Sequence, residues 1–139
     1  MNKKVKIAVL VLVVFFIIGA ITAYLLLNKP QRDVAKEKGI ELTASQLVKE
    51  YQANEDSANA INLNKTLEVS GLVTEIKNNQ EGKQTIMLAS EDAFTGVFCT
   101  LKENVDGLTE GSNITIKGIC SGMLSDVRLR DAVVVKKNK

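Results

Sequence analysis

The chain has 139 residues, with 18 Lys and Arg against 16 Asp and Glu, a formal net charge of +2. It has no His or Trp, one Pro and two Cys, which excludes a Ser/His/Asp triad, a His-ligated metal or haem and a multi-disulfide scaffold. The charge divides unevenly, because residues 1–39 carry a net +5 and residues 40–139 a net −3. Composition therefore predicts one soluble domain behind a basic, apolar leader.

The leader contains 21 residues without a charge, from Ile7 to Leu27. As a helix they would cover about 31 Å, the thickness of a bilayer hydrocarbon core. A cleaved signal peptide has a shorter apolar region followed by a small-x-small site, and Ile21-Thr22-Ala23 matches that site poorly. We therefore predict an uncleaved transmembrane signal anchor at residues 7–27; the alternative, a secreted domain, would have its mature amino terminus near Tyr24.

The basic residues beside this segment predict its orientation. Lys3, Lys4 and Lys6 precede it in a short basic end, residues 1–6, which we place in the cytoplasm. The domain then lies outside the cytoplasm, and the protein is a single-pass protein of the bacterial inner (cytoplasmic) membrane with a periplasmic domain. A lipid anchor at the end of the span is excluded because no Cys lies there.

Residues 28–41 are polar and charged and are predicted to be a tether, and residues 42–63 a helical segment. Thr43 and Gln46 have capping-box spacing, and Leu42 and Leu47 can form a hydrophobic staple. Asn54 begins a polar stretch that would end this helix and cap a second one.

One face of the helical segment is apolar. It comprises Leu47, Val48, Tyr51, Ala58 and Ile61. The simplest interpretation is a lid packed on the following sheet, and the alternative is a stripe that binds a partner.

After Lys65 the apolar residues alternate with period 2, which is typical of strands. We predict five strands, at residues 66–77, 84–89, 96–101, 112–120 and 127–135. The alternation in the first strand slips after Gly71, which indicates a bulge or bend. Short connections between such strands predict a small antiparallel barrel over residues 64–139.

The first and fourth strands share one pattern, aliphatic-polar-aliphatic-polar-Gly-aliphatic-apolar, with Gly71 and Gly118 in the middle. In an oligonucleotide/oligosaccharide-binding (OB) fold these two strands are neighbours that coil tightly, and a mid-strand Gly permits the bend. The sequence thus predicts a mainly β protein: a five-stranded OB-fold barrel preceded by an α-helix and an N-terminal transmembrane helix.

Several segments together also resemble a known family. They are Leu47-Val-Lys-Glu-Tyr51, Lys65-Thr-Leu-Glu-Val-Ser-Gly71 and Ile116-Lys-Gly-Ile-Cys-Ser-Gly122, and with the apolar leader they are similar to the tRNA_anti-like OB-fold proteins of bacterial envelopes. The resemblance implies an OB barrel over about residues 42–135 and, by itself, no particular activity. Members that look like lipoproteins carry an anchor Cys, which this chain lacks.

The residues argue against nucleic-acid binding, although the fold is known for it. Single-strand binders combine a basic groove with stacking aromatic rings. Without the tail lysines Lys136, Lys137 and Lys139, residues 40–135 carry a net −6. This charge disfavours nucleic-acid binding. Binding in the tRNA-like manner is the alternative, and it would depend on a local basic patch of Lys77, Lys83, Arg128 and Arg130.

Cys99 and Cys120 both lie in apolar strands, so two buried thiols are predicted and a disulfide is the alternative. In an OB barrel the third and fourth strands are separated by the fifth, which disfavours the bridge. Two Cys without His do not make a structural metal site, and the Tyr expected four residues after a haem-attaching Cys is absent at Leu124. We therefore expect no cofactor, no metal and no enzymatic activity.

Taken together, the sequence predicts a membrane-anchored, extracytoplasmic OB-fold module that binds an envelope protein, peptide or glycan without catalysis. In this fold ligands contact the second and third strands and the loops beside them. The residues predicted to contact the ligand are Lys77, Asn78, Lys83, Phe94, Phe98, Arg128 and Arg130.

Overall fold

The computed structural model describes residues 1–29 and 32–138, without the side chains of residues 136–138, and divides the chain into two units, Met1–Arg32 and Asp33–Lys139. Pro30 of the predicted tether lies outside the described residues, as do Lys139 and the side chains of Lys136 and Lys137.

The first unit is one helix, α1 (Lys3–Leu27), of 25 residues. It ends where the N–H of Asn28 donates to the carbonyl oxygen of Tyr24 at 3.0 Å. Its most apolar window has a mean hydropathy of 2.9. Among the described residues it is the one helix whose length and composition allow it to cross a bilayer.

The second unit begins with a short strand and two helices, β1 (Ile40–Thr43), α2 (Ala44–Ala53) and α3 (Glu55–Asn62). The predicted capping box is present: Thr43 Oγ1 accepts the N–H of Gln46 at 3.1 Å, and Gln46 Oε1 accepts the N–H of Thr43 at 2.9 Å. Asn54 Oδ1 accepts the N–H of Ser57 at 3.1 Å, so this residue ends α2 and caps α3.

Five further strands form the barrel. They are β2 (Thr66–Asn78), β3 (Gln84–Leu88), β4 (Val97–Leu101), β5 (Asn113–Met123) and β6 (Val127–Asn138). Their order is β2-β3-β4-β6-β5, and β5 pairs back onto β2, while β4 and β6 run parallel. This is a closed OB barrel, and the predicted fold class is confirmed.

The barrel closes because β2 bends. Residues 66–72 pair with β5 and residues 73–78 pair with β3, with a register shift between Val73 and Glu75 at the predicted bulge. A Cβ on Gly71 would lie 3.1 Å from Ala44 Cβ and 3.2 Å from Leu88 Cβ. Glycine therefore lets the start of α2 pack directly against the bend.

Most of the predicted lid face is buried against the barrel. Leu47, Val48 and Tyr51 of α2 and Ala58 of α3 are buried in the core. Ile61 was expected on the same face, but 54% of it is exposed. The break at Asn54 changes the direction of the chain, so the helical period of α2 does not continue through α3.

The predicted tether differs from the structure at its carboxyl end. Residues 40–43 form β1, which pairs in parallel with the start of β2, Ile40 opposite Leu67. Val34 is buried, and Thr66 Oγ1 donates to Glu37 Oε2. A four-residue strand held by backbone bonds to a distant segment leaves little local signal, which explains why it was missed.

The last strand also departs from simple alternation. Asp131 has a positive φ of 49°, and after it Ala132 is buried while Val135 is 49% exposed. The predicted apolar face of Val127, Leu129, Val133 and Val135 therefore holds only before this kink, because an irregular residue shifts the period-2 pattern by one.

Cys99 and Cys120 are free, buried thiols on opposite sides of β6. Both are in register with Leu129, so two strand spacings, about 10 Å, separate them, more than the roughly 7 Å that a disulfide allows. Burial raises the pKa of the Cys99 thiol. Tyr51 Oη shares a hydrogen bond of 3.2 Å with Cys120 Sγ, and burial, followed by this bond, raises the pKa of Tyr51.

Replacing Thr43 by Ala should lower the free energy of unfolding by about 1 kcal/mol, because an N-terminal N–H of α2 loses its acceptor. Thr43→Ser is the matched control, since it keeps the hydroxyl group and should retain most of the stability. Urea unfolding of the full chain in detergent, followed by circular dichroism, gives both values. Equal stability of the two variants would show that the cap does not contribute.

Both thiols should be inert to Ellman's reagent in the folded protein and titrate as two thiols once the protein is denatured without reductant, because burial excludes the reagent and no bridge joins them. A variant with an added exposed cysteine, Thr109→Cys, should show one thiol that reacts at once. Recovery of no thiol from denatured wild-type protein would contradict the free-thiol arrangement.

Candidate ligand-binding face

One row of side chains crosses the outer face of four barrel strands. The register places Glu75 of β2 beside Met87 of β3, Met87 beside Phe98 of β4, and Phe98 beside Arg128 of β6. Their neighbours Ile86, Leu88, Cys99 and Leu129 point into the core. The alternation of each strand therefore directs these four side chains outward, and we call them the outer row.

Phe98 and Arg128 form the centre of the outer row. The guanidinium carbon of Arg128 lies 5.1 Å from the centroid of the Phe98 ring, within the range of a cation–π contact. Phe98 is half-buried and Arg128 is exposed. The pair forms a flat aromatic and guanidinium surface on the outside of the barrel.

A second row lies one step further along the strands. Lys77 of β2 is opposite Thr85 of β3, which is opposite Thr100 of β4. Lys77 forms an ion pair with Glu75 of the outer row. The hydrogen bond and the charge of Glu75 raise the pKa of Lys77.

Two of the other predicted basic residues, Arg130 and Lys83, also have a carboxylate beside them. Arg130 Nη1 lies 3.0 Å from Asp131 Oδ2, and Lys83 Nζ lies 3.8 Å from Glu81 Oε2. Each of these pairs is exposed, so it contributes little to stability but reduces the local positive potential. Three of the four cations of the basic patch suggested by the sequence therefore have a neighbouring carboxylate, and the fourth, Arg128, contacts the Phe98 ring.

Asn78 precedes the β2–β3 turn, residues 79–83, and Lys83 ends it, at one end of the outer face. Asn79 Oδ1 accepts the N–H groups of Glu81 and Lys83 at 3.0 and 2.9 Å and so fixes the turn. The turn is also tied to the β4–β5 connection, since Asn104 Oδ1 accepts the N–H of Gln84 at 2.8 Å. We call this the Lys83 end of the barrel.

Phe94 lies at the opposite end, in the β3–β4 loop, residues 89–96, and is 94% exposed. Asp92 Oδ1 accepts the N–H of Phe94 at 2.7 Å, and this bond, followed by one from Gln52, holds the pKa of Asp92 below its usual range. Asp126 Oδ1 accepts the N–H of Gly96 at 2.9 Å and joins the loop to the β5–β6 turn. We call this the Phe94 end.

A cavity of about 370 Å³ opens between these two loops. Met87 of the outer row lines it together with Ala93, Phe94 and Asp126. A second cavity of about 360 Å³, beside β1, is lined by Glu41, Glu68 and other polar residues and includes none of the predicted ligand contacts.

The structure thus brings Lys77, Phe98, Arg128 and Arg130 onto one face, with Asn78 and Lys83 at its margin, and separates Phe94 from them. Sequence reasoning missed Met87, Thr100 and the two neutralising carboxylates Glu75 and Asp131. In the sequence Met87 lies between the aliphatic Ile86 and Leu88, and strand alternation with these two inside predicts an outward Met87 side chain. That Glu75 lies on this face beside Met87 could be recognised only from the strand register.

The outer face carries side chains of several chemical kinds. Within residues 1–29 and 32–138 there is no group of three or more His, Cys, Asp or Glu that could hold a metal ion. The face offers an aromatic ring, a guanidinium group, a thioether and hydroxyl groups, which support stacking and hydrogen bonding to a ligand.

The comparisons with known proteins agree with this barrel. A lipoprotein of Klebsiella pneumoniae subsp. pneumoniae MGH 78578, described as a candidate nucleic acid-binding protein, has a crystal structure that superposes with a TM-score of 0.57 and 21% sequence identity, covering 78% of this chain and 100% of that chain. At this identity the likeness shows the shared fold. No curated protein matches the chain. The model of the tRNA_anti-like family matches residues 1–139, and the chain belongs to that family.

Proposed function

We propose that the protein is a membrane-anchored, extracytoplasmic binding module without catalytic activity, and that its outer face holds an envelope protein, peptide or glycan. The observation that carries this proposal is the local neutralisation of the positive charges around the Phe98–Arg128 pair. A face of this kind favours a ligand that stacks and hydrogen-bonds over one that is a polyanion.

The charge pattern supports this ligand class. Lys77 on β2 and Arg130 on β6 both lie one step from the outer row toward the Lys83 end. Each has a carboxylate beside it, Glu75 and Asp131 respectively. A nucleic acid gains affinity by releasing counterions when free cations neutralise its phosphates, and a cation already paired with a carboxylate supplies less of that gain. Sugars and peptides do not need this contribution.

The shape of the centre supports it as well. Phe98 offers the face of a ring, Arg128 covers part of that face, and Met87 adds a polarizable side chain on the adjacent strand. Sugar C–H groups, prolines and aliphatic side chains all pack on such a surface, and Thr100 in the next row supplies a hydroxyl donor and acceptor.

We propose that α1 anchors the protein in the membrane, on the basis of its length, its hydropathy and the charges beside it. A helix of 25 residues with a mean hydropathy of 2.9 is long enough to span, and Lys3, Lys4 and Lys6 favour a cytoplasmic amino terminus. That the Klebsiella protein is a lipoprotein supports an envelope location.

Single-stranded nucleic-acid binding is the second candidate. The description of the Klebsiella protein favours it, as does the stacked Phe98–Arg128 pair, because aromatic and Arg side chains stack on bases. The paired cations and the net −3 of residues 40–139 favour the first candidate.

A photo-crosslinking amino acid at Thr100 should capture the ligand in intact membranes, because this side chain lies on the proposed face. The same amino acid at Asp56, an exposed position on α3, is the control and should give no adduct. Digestion of the adduct with protease, glycan-degrading enzymes or nuclease identifies its class. A nuclease-sensitive adduct, or equal adducts at both positions, would contradict the proposal.

Neutralising the carboxylates should strengthen nucleic-acid binding relative to the wild-type protein. The double variant Glu75→Gln/Asp131→Asn frees Lys77 and Arg130, and its affinity for single-stranded oligonucleotides should rise at least about tenfold, with a slope of log K against log salt steeper by up to about 1.4. Gel shifts of the full chain in detergent over a salt series measure both quantities.

Glu55→Gln/Asp56→Asn on α3 changes the net charge equally, away from the face, and should leave oligonucleotide binding unchanged. Strong, salt-dependent binding by the wild-type protein that is lost in Lys77→Ala/Arg128→Ala would instead establish the second candidate.

A further inference from the structure

The cavity between the β3–β4 loop and the β5–β6 turn combines carboxylates with apolar side chains. It measures about 370 Å³, and among the described residues that line it Asp92 and Asp126 are acidic while none is Lys or Arg. Within the described residues neither carboxylate has an ion pair. On the outer face, by contrast, Lys77 and Arg130 each have a carboxylate beside them. The cavity is therefore complementary to a positively charged group.

Both carboxylates are held by uncharged donors, which fix their positions and leave their charges in place. Asp92 Oδ1 accepts the N–H of Phe94 and Asp92 Oδ2 accepts Gln52 Nε2, both at 2.7 Å, and Asp126 Oδ1 accepts the N–H of Gly96 at 2.9 Å. The two bonds to Asp92 favour its ionised form and lower its pKa. A carboxylate has about four lone-pair sites, so each of the two can accept further hydrogen bonds.

The loop that forms one wall of the cavity is tied to its neighbours on both sides. The N–H of Glu91 donates to Ser45 Oγ of α2 at 3.0 Å, and the N–H of Val127 donates to the carbonyl oxygen of Gly96 at 3.1 Å. Glu91 itself forms an ion pair with Lys49, and neither of these two residues lines the cavity. The cavity is thus formed without a ligand, which lowers the entropy lost on binding.

Met87, Ala93 and Phe94 supply the apolar part of the lining. Phe94 is 94% exposed, the highest value for a large hydrophobic side chain among the described residues of the second unit. A thioether and an aromatic ring beside two carboxylates suit a side chain with an apolar stem and a cationic end, because the stem packs on apolar surface and the cation is attracted to the ring face. Lys and Arg have this construction.

The cavity is continuous with the outer row. Met87 belongs to both, and a Cβ on Gly96 would lie 3.2 Å from Met87 Sδ. Phe98 is opposite Met87 on the next strand, at a strand spacing of about 5 Å. Arg128 lies one strand further, on the other side of Phe98, so about 10 Å separate its strand from that of Met87. Alternate side chains of an extended peptide are about 7 Å apart, so one peptide can reach both Phe98 and the cavity.

We infer that this cavity binds the Lys or Arg side chain of a peptide segment whose neighbouring residue, within two positions, stacks on Phe98 and Arg128. The inference rests on the proposed function, since it takes the outer face as the ligand surface, and it narrows the ligand to a basic peptide segment. A neutral glycan carries no cation for Asp92 and Asp126.

An array of acetylated hexapeptides, probed with the full chain in detergent, tests this ligand class. The captured peptides should contain Lys or Arg. In the strongest binder, Arg is then replaced by citrulline, or Lys by N-acetyl-lysine, which keeps the stem and removes the charge. Fluorescence anisotropy should show that this replacement weakens the affinity at least about fivefold, because a charged donor binds a carboxylate more strongly than a neutral one does.

The double variant Asp92→Asn/Asp126→Asn removes both charges and keeps an acceptor for the N–H groups of Phe94 and Gly96. It should reduce the effect of the peptide replacement to less than about twofold. Glu41→Gln/Glu68→Gln is the matched control, because it makes the same change of charge in the second cavity and should leave the fivefold effect intact. Circular dichroism checks the fold of each variant, and Asp92→Asn alone should halve the effect if the double variant does not fold.

The outcomes separate this inference from the proposed function. Capture of no peptide, or capture that persists in Phe98→Ala, would contradict a peptide ligand on the outer face and this inference with it. Capture that depends on Phe98 but shows no requirement for Lys or Arg would overturn the inference and leave the outer face as the ligand surface. An unchanged charge effect in Asp92→Asn/Asp126→Asn, or an equal loss of it in Glu41→Gln/Glu68→Gln, would do the same.

Discussion

The structure depends on the bend in β2, which lets one strand pair with β5 along its first half and with β3 along its second. Closure requires the shift of register after Val73, and the close packing of α2 requires that Gly71 carry no side chain. With β2 bent in this way, Glu75 and Lys77 point outward on the same face as Phe98. The geometry of the outer row is thus a consequence of barrel closure.

The same constraint shapes the electrostatics of the face. Glu75 and Lys77 are alternate residues of one strand and necessarily project from the same side, so their pairing is built into the strand. Arg130 and Asp131 are brought together differently, by the kink at Asp131, whose φ is positive. Exposed pairs of this kind contribute only about 0–1 kcal/mol to stability. Their main effect is on which ligands the face attracts.

Sequence reasoning predicted the features that are encoded locally. The capping box at Thr43, the stop at Asn54, the strand positions and the bulge after Gly71 each have a signal within a few residues, and all are present. The resemblance to the tRNA_anti-like family is confirmed by the match over the whole chain. The OB order of the strands was predicted from the shared pattern around Gly71 and Gly118, and it too is confirmed.

What was missed depends on pairings between distant residues. β1 is four residues held in parallel against β2, and nothing in residues 40–43 alone indicates that partner. Phe94 and Phe98 are only four residues apart, yet one lies in a loop and the other in the outer row, because β4 begins between them. The carboxylates beside Lys77 and Arg130 could be read from the sequence as neighbours, but their effect on the face required the register.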